Sequence, residues 1–80
     1  MKKIYIKTDF IKMDQLLKYA EIAGTGGHAK YLIQNNFIKY NGEIDNRRGK
    51  KVYPGDIVTI DLSEDETLNE DFIELEILKK

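Results

Sequence analysis

Between Thr25 and Asp56 the chain reads TGGHAKYLIQNNFIKYNGEIDNRRGKKVYPGD, and within that stretch the apolar period changes from helical to two. Ala29, Leu32 and Ile33 follow the spacing of one helix face, with Thr25 placed to cap the helix and Asn35-Asn36 to stop it. A few residues later Ile38 and Tyr40 alternate with Lys39. Asn41-Gly42 then supplies the two residues that a type I′ hairpin turn holds at positive φ. Residues 43–45 are expected to return as the second strand, residues 46–51 (NRRGKK) to form a basic loop, and Val52-Tyr53 a brief strand. Pro54-Gly55-Asp56 reads as a tight turn.

The flanks fit the same scale. Lys2 to Lys7 alternates charged and apolar residues around Ile4 and Ile6, a short strand with its lysines in solvent. Met13, Leu16, Leu17 and Ala20 mark a first amphipathic helix, which the Gly24-Thr25-Gly26-Gly27 cluster is expected to end. Ile57 to Leu62 reads as a strand. Residues 63–71 are polar and acidic, either a linker or one helical turn opened by the Ser63/Glu66 capping-box pattern. Ile73, Leu75 and Ile77 alternate with Glu74 and Glu76, which favours a C-terminal strand over 72–78, although the Ile73/Ile77 spacing also suits a helix. With 80 residues, no internal repeat and no second composition, a single domain is expected.

Charge is unevenly distributed. Residues 1–53 hold eleven Lys/Arg against five acids, a surplus of six positive charges, while residues 54–80 hold nine acids against Lys79 and Lys80, a surplus of seven negative. A basic body with an acidic C-terminal segment points to a polyanion partner even though the net charge is −1. Helix N-termini and clustered Arg/Lys side chains are both receptors for phosphate. The chain has no Cys, so neither a disulfide nor a thiolate metal site is available, and a reducing, cytoplasmic setting is expected. No apolar run approaches the roughly twenty residues of a membrane span, and the N-terminus lacks a signal-peptide apolar region.

Catalysis is disfavoured on the same grounds. One His and no Cys leave only Ser63 or a Thr to pair with His28, and none sits in a recognisable nucleophile-base motif. The GTGG run lacks both the spacing and the Lys-Ser/Thr ending of a phosphate-binding loop. A lone His without clustered carboxylates builds no metal site, so neither a metal nor a cofactor is expected.

Four segments in order resemble the S4 RNA-binding domain, and in particular the small stand-alone S4-like proteins of bacteria. They are Lys12-Met13-Asp14 with Leu16-Leu17; Thr25, Gly26, Ala29 and Leu32-Ile33; Ile38-Lys39-Tyr40-Asn41-Gly42; and Val52-Tyr53-Pro54-Gly55-Asp56, together spanning roughly residues 12–60. The resemblance implies an α+β fold in which two short packed helices lie against a small, mostly antiparallel twisted sheet. It also implies that structured RNA, ribosomal RNA above all, is held along the helix N-termini and the hairpin face, in a role in ribosome assembly or RNA metabolism. The sequence departs from the family at Gly26, where many members carry an RNA-contacting Arg.

The expected phosphate contacts are Lys12, Lys30, Lys39, Arg47, Arg48, Lys50 and Lys51. Gly26 and Gly27 would offer backbone donors, His28 a further donor in the first helical turn, and Asn41 would shape the hairpin. Each has a plainer reading: Gly26-Gly27 as a tight inter-helix turn, the charge run as a solvated loop, His28 as an exposed filler, Tyr40 and Tyr53 as semi-buried strand residues. Phe37, sharing the outward parity of Lys39, is the better candidate for stacking on a base, with core packing as its plainer and favoured reading. The rival reading is a protein-interaction adaptor whose acidic C-terminal segment and strand edges bind a basic partner such as a ribosomal protein. In a third, that segment folds over the basic face and competes with RNA.

Overall fold

In a computed structural model, which describes residues 1–62 and 72–80, seven strands and two helices enclose one apolar core. In chain order the elements are β1 (Lys2–Ile6), β2 (Ile11–Lys12), α1 (Met13–Tyr19), α2 (Gly26–Gln34), β3 (Ile38–Tyr40), β4 (Glu43–Ile44), β5 (Lys51–Val52), β6 (Ile57–Asp61) and β7 (Phe72–Lys79). Five strands form a sheet in the order β1-β7-β6-β3-β4, and β2 pairs separately with β5. Every pairing is antiparallel except β1 with β7. This is the α+β arrangement the sequence implies. The acidic stretch 63–71, expected as a linker or helical turn, lies outside the described residues.

Period-two alternation sets the inner face of the sheet. Ile4, Ile6, Ile38, Val58, Ile60, Leu75 and Ile77 are buried, and they form one cluster with Met13, Leu16, Leu17, Ala29, Leu32 and Ile33 from the helices. The alternation of Ile73, Leu75 and Ile77 is therefore a strand signal: Ile57 to Asp61 pairs antiparallel with Phe72 to Glu76, in register from Ile57–Glu76 to Asp61–Phe72. At about 25 cal/mol per Å² of apolar surface, a core of this kind supplies most of the folding free energy. Among the described residues no polar residue is fully buried, and no buried side-chain nitrogen or oxygen lacks a hydrogen-bond partner.

The helix ends differ from the sequence reading in one respect. Thr25 caps α2, its hydroxyl accepting from the His28 amide at 3.1 Å. Asn36 ends it at φ 65°, with the Phe37 amide reaching back to Leu32 O and the Asn36 amide to Ile33 O. That paired return is the Schellman stop, which Asn tolerates at the left-handed position. Helix α1 ends in the same way, but well before the glycine cluster expected to stop it. Glu21 takes φ 63°, the Ile22 amide bonds Leu17 O at 2.9 Å and the Glu21 amide bonds Lys18 O at 3.1 Å. Burial of Ala20 and Ala23 on either side outweighs the steric penalty of a non-glycine residue there.

One strand is shifted by a residue. The brief strand read at Val52-Tyr53 is Lys51–Val52, because its partner Ile11–Lys12 fixes the register at Ile11–Val52 and Lys12–Lys51. Phe37 takes the plainer of its two readings and packs against the core. It lies partly buried before β3 and meets Tyr31 across 6.0 Å, a consequence of the α2 stop that precedes it.

Replacing Glu21 with glycine removes the left-handed strain and a carboxylate from the negative end of α1, offset in part by glycine's freedom in the unfolded chain. We expect Glu21→Gly to raise stability by about 0.5–1 kcal/mol. Chemical denaturation measures it; a loss of stability would show that the Glu21 side chain makes a contact of greater worth.

Candidate nucleic-acid interface

Asp56 organises the turn region. Its carboxylate accepts from the Tyr40 hydroxyl at 2.5 Å, the Tyr53 amide at 2.8 Å and Asn41 Nδ2 at 3.2 Å, while Asn41 Oδ1 accepts from the Ile57 amide at 2.8 Å. One carboxylate thus ties the Asn41-Gly42 turn, at φ 49° and 92°, to the Pro54-Gly55 turn. The basic loop runs between those two turns, so its ends are held together. Asn41 lies in the hairpin turn, with its side chain committed to the fold on both oxygen and nitrogen.

These bonds set two ionisation states. Burial disfavours the Asp56 carboxylate, but hydrogen bonds from Tyr40, the Tyr53 amide and Asn41, with the charge of Lys50, outweigh it and hold its pKa below the usual value. The Tyr40 phenol is pushed up to about 12, by burial first and then by its bond to Asp56.

The loop itself is anchored from two sides. Asp45 accepts from Arg47 at its amide (3.0 Å), Nε (3.0 Å) and Nη2 (2.7 Å), which lowers the Asp45 pKa chiefly through the side-chain bonds, against the opposing effect of burial. On the other side the first amides of α1 donate to loop carbonyls, Met13 N to Lys50 O at 2.9 Å and Asp14 N to Arg48 O at 3.2 Å. The N-terminus of α1 therefore serves the loop, leaving those two amides unable to receive a phosphate. At α2 the reverse holds. Thr25 takes the His28 amide and its carbonyl takes Ala29, while the Gly26 and Gly27 amides have no acceptor among the described residues.

The expected cations fall into two groups. Arg47 is clasped by Asp45, Arg48 stands 4.0 Å from Asp14, and Lys39 pairs with Asp61 at 3.4 Å. Lys39 points to the sheet face away from the helices, apart from the rest. Lys12, Lys30, Lys50 and Lys51 have no ion-pair partner among the described residues. Lys12 and Lys51 are directly opposed across β2 and β5, a like-charge pairing that disfavours the ladder. Aromatic faces hold two of these charges in place: Lys50 Nζ lies 4.6 Å from the centre of the Tyr40 ring and Lys51 Nζ 4.8 Å from that of Phe10.

Phe10, which the sequence reading passed over, in turn packs on the half-exposed Tyr53 with ring centres 5.9 Å apart. Its only sequence signal is its place just before the short basic strand. Exposed Gly26, Gly27, His28 and Lys30 form a separate patch on the first turn of α2.

Asp56→Asn keeps the shape of the hub and removes the charge that Tyr40 and the Tyr53 amide bond. We expect it to cost about 1–3 kcal/mol at neutral pH. The depressed Asp56 and Asp45 pKa values mean that their contribution is complete above the unfolded-state value of about 3.9 and is lost as pH falls through the lower folded values. Acid unfolding below about pH 4 should accordingly be shallower in Asp56→Asn. The raised phenol works in the other direction, its contribution lost as pH rises through about 12. Spectrophotometric titration should show a tyrosine ionising at about 12 that disappears in Tyr40→Phe.

Comparison with known proteins agrees with this geometry. A family model described as the S4 domain matches residues 4–69. The chain is also 43% identical over 58 residues, 72% of its own length and 82% of the relative's, to a Bacillus subtilis (strain 168) protein named "Probable ribosome maturation protein RlbA". By the extent of both matches, the chain belongs to the S4 domain family.

Proposed function

We propose that this protein is a non-catalytic RNA-binding module that recognises structured RNA, ribosomal RNA in particular, by shape and phosphate contact. In this reading it acts in the cytoplasm during ribosome maturation, where ribosomal proteins are its neighbours. The observation that carries the proposal is the opposition of Lys12 and Lys51. Two lysines stand at opposed positions of a two-residue ladder, neither is neutralised by a carboxylate among the described residues, and the adjoining Lys50 is steadied by an aromatic ring. Like charges at opposed positions disfavour the ladder, and a bound anion would relieve them. The relative's name supplies the ribosomal direction.

Lys12, Arg48, Lys50 and Lys51 would contact phosphates from one side and the open amides of Gly26 and Gly27, with Lys30 and His28, from the other. Arg47 contributes less directly, because two of its guanidinium N–H groups already serve Asp45. If about four phosphates are neutralised, log affinity falls with log salt at a slope of about −3 to −4.

The test is equilibrium binding to a ribosomal RNA hairpin, against duplex DNA, across a salt series. Lys12→Gln/Lys51→Gln is expected to reduce the magnitude of the slope by roughly two while leaving the free protein equally or slightly more stable, by tenths of a kcal/mol. Binding with no salt dependence, or unchanged in that variant, would refute the proposal. No preference for RNA at any salt would favour a protein-interaction adaptor.

Gly26 offers a gain-of-function check. Its φ is unexceptional and a Cβ there would meet nothing within 4 Å, so the position accepts the Arg that many family members carry. Gly26→Arg should tighten RNA binding by roughly tenfold, the worth of one charge-assisted hydrogen bond, with no loss of thermal stability.

A further inference from the structure

A groove of about 710 Å³ runs along the free edge of β1. Tyr5, Tyr19 and Ile11 supply its apolar surface, and Lys3, Lys7 and Lys80 its charge, with no acidic side chain among the described residues that line it. Both rings are well exposed, Tyr5 at 48% and Tyr19 at 59%. The Tyr19 hydroxyl donates to the Tyr5 carbonyl at 2.8 Å, which fixes the Tyr19 side chain against the β1 edge.

We infer that this groove is a second RNA contact surface that takes a single-stranded segment, with bases stacked on Tyr19 and Tyr5 and phosphates on Lys3, Lys7 and Lys80. The inference rests on the RNA-binding reading above and extends it to a surface that reading does not use. Exposed aromatic rings interleaved with cations are the physical requirement for holding unpaired nucleotides, because every base has a π face and every linkage a negative charge.

An added β-strand is the other occupant an open edge invites. Here the edge is poorly suited to it. The Ile6 carbonyl accepts from the Lys80 amide on the β7 side, so by alternation the Tyr5 carbonyl faces the open edge. The Tyr19 hydroxyl already occupies that carbonyl. Lysines along an edge strand also discourage pairing with another chain.

The groove and the basic cluster adjoin along the chain. Ile11 lines the groove and its chain neighbour Lys12 faces Lys51. Helix α1 starts at the loop and ends at Tyr19, a rise of about 9 Å at 1.5 Å per residue. An RNA strand leaving Lys12 and Lys51 along this side meets the two tyrosines next.

The experiment compares a ribosomal RNA hairpin with the same hairpin carrying a single-stranded oligouridylate extension, and with oligouridylate alone, by fluorescence anisotropy of the labelled RNA. For the unaltered protein the extension should tighten binding roughly fivefold or more, the worth of one stacked base. That gain should vanish in Tyr5→Ser/Tyr19→Ser, with hairpin affinity unchanged and the fold checked by circular dichroism. Tyr19→Phe keeps the ring and loses the hydroxyl, so it should retain the gain; its loss there would assign Tyr19 an edge-sealing role and overturn the inference. A hairpin bound without benefit from the extension overturns the groove alone. If the hairpin is not bound, the RNA reading fails, and oligouridylate that also fails to bind, or binds independently of both tyrosines, overturns the groove as well. A polyglutamate peptide that binds in a tyrosine-dependent way where oligouridylate does not would assign the groove to an acidic polypeptide instead.

Discussion

The Asp56 carboxylate is the interaction on which the rest of the candidate site depends. It is the common acceptor for a side chain at the end of β3, a side chain in the hairpin turn and an amide in the Pro54-Gly55 turn. Those three donors come from both ends of the basic loop. Fixing the ends of a loop limits the conformations its charges can take, and so limits the entropy lost when a polyanion settles on them. The carbonyls of Arg48 and Lys50 complete the restraint by accepting the first amides of α1.

The two helix N-termini illustrate a division of labour. Both helices begin with amides that have no partner within the helix, yet α1 uses two of its amides to hold the loop while α2 leaves those of Gly26 and Gly27 open. The cations divide similarly. Arg47 and Lys39 are balanced by carboxylates, whereas Lys50 and Lys51 rest on aromatic rings and Lys12 faces a like charge. A ring positions an ammonium group without neutralising it, which keeps the charge available to a ligand. Such placement favours function over stability, as is usual at binding sites.

Local chemistry was legible in the sequence wherever one residue type answers a local need. Thr25 caps α2, Asn36 stops it, and Asn41-Gly42 makes the turn, because these conformations exclude most alternatives. Glu21 was not legible at the end of α1, since nothing in its chemistry favours positive φ; the packing of Ala20 and Ala23 imposes it. The ladder between β2 and β5 joins two-residue strands about forty positions apart, too short for any periodicity to reveal. For the same reason the opposition of Lys12 and Lys51, and the Phe10 ring under Lys51, emerge only once the chain is folded. The charge run at residues 47–51 was visible, but not its partition. Asp45 lies only two residues before Arg47, and its clasp depends on a loop turn that charge alone does not specify.

The most direct test of the account is amide chemical-shift mapping of the isotopically labelled protein on titration with a ribosomal RNA hairpin. The largest changes are expected on Lys12, Gly26, Gly27 and residues 48–51, while Thr59, Glu74 and Glu76 on the outer sheet face stay unmoved. Changes centred on that outer face, with the basic loop and the start of α2 silent, would contradict it.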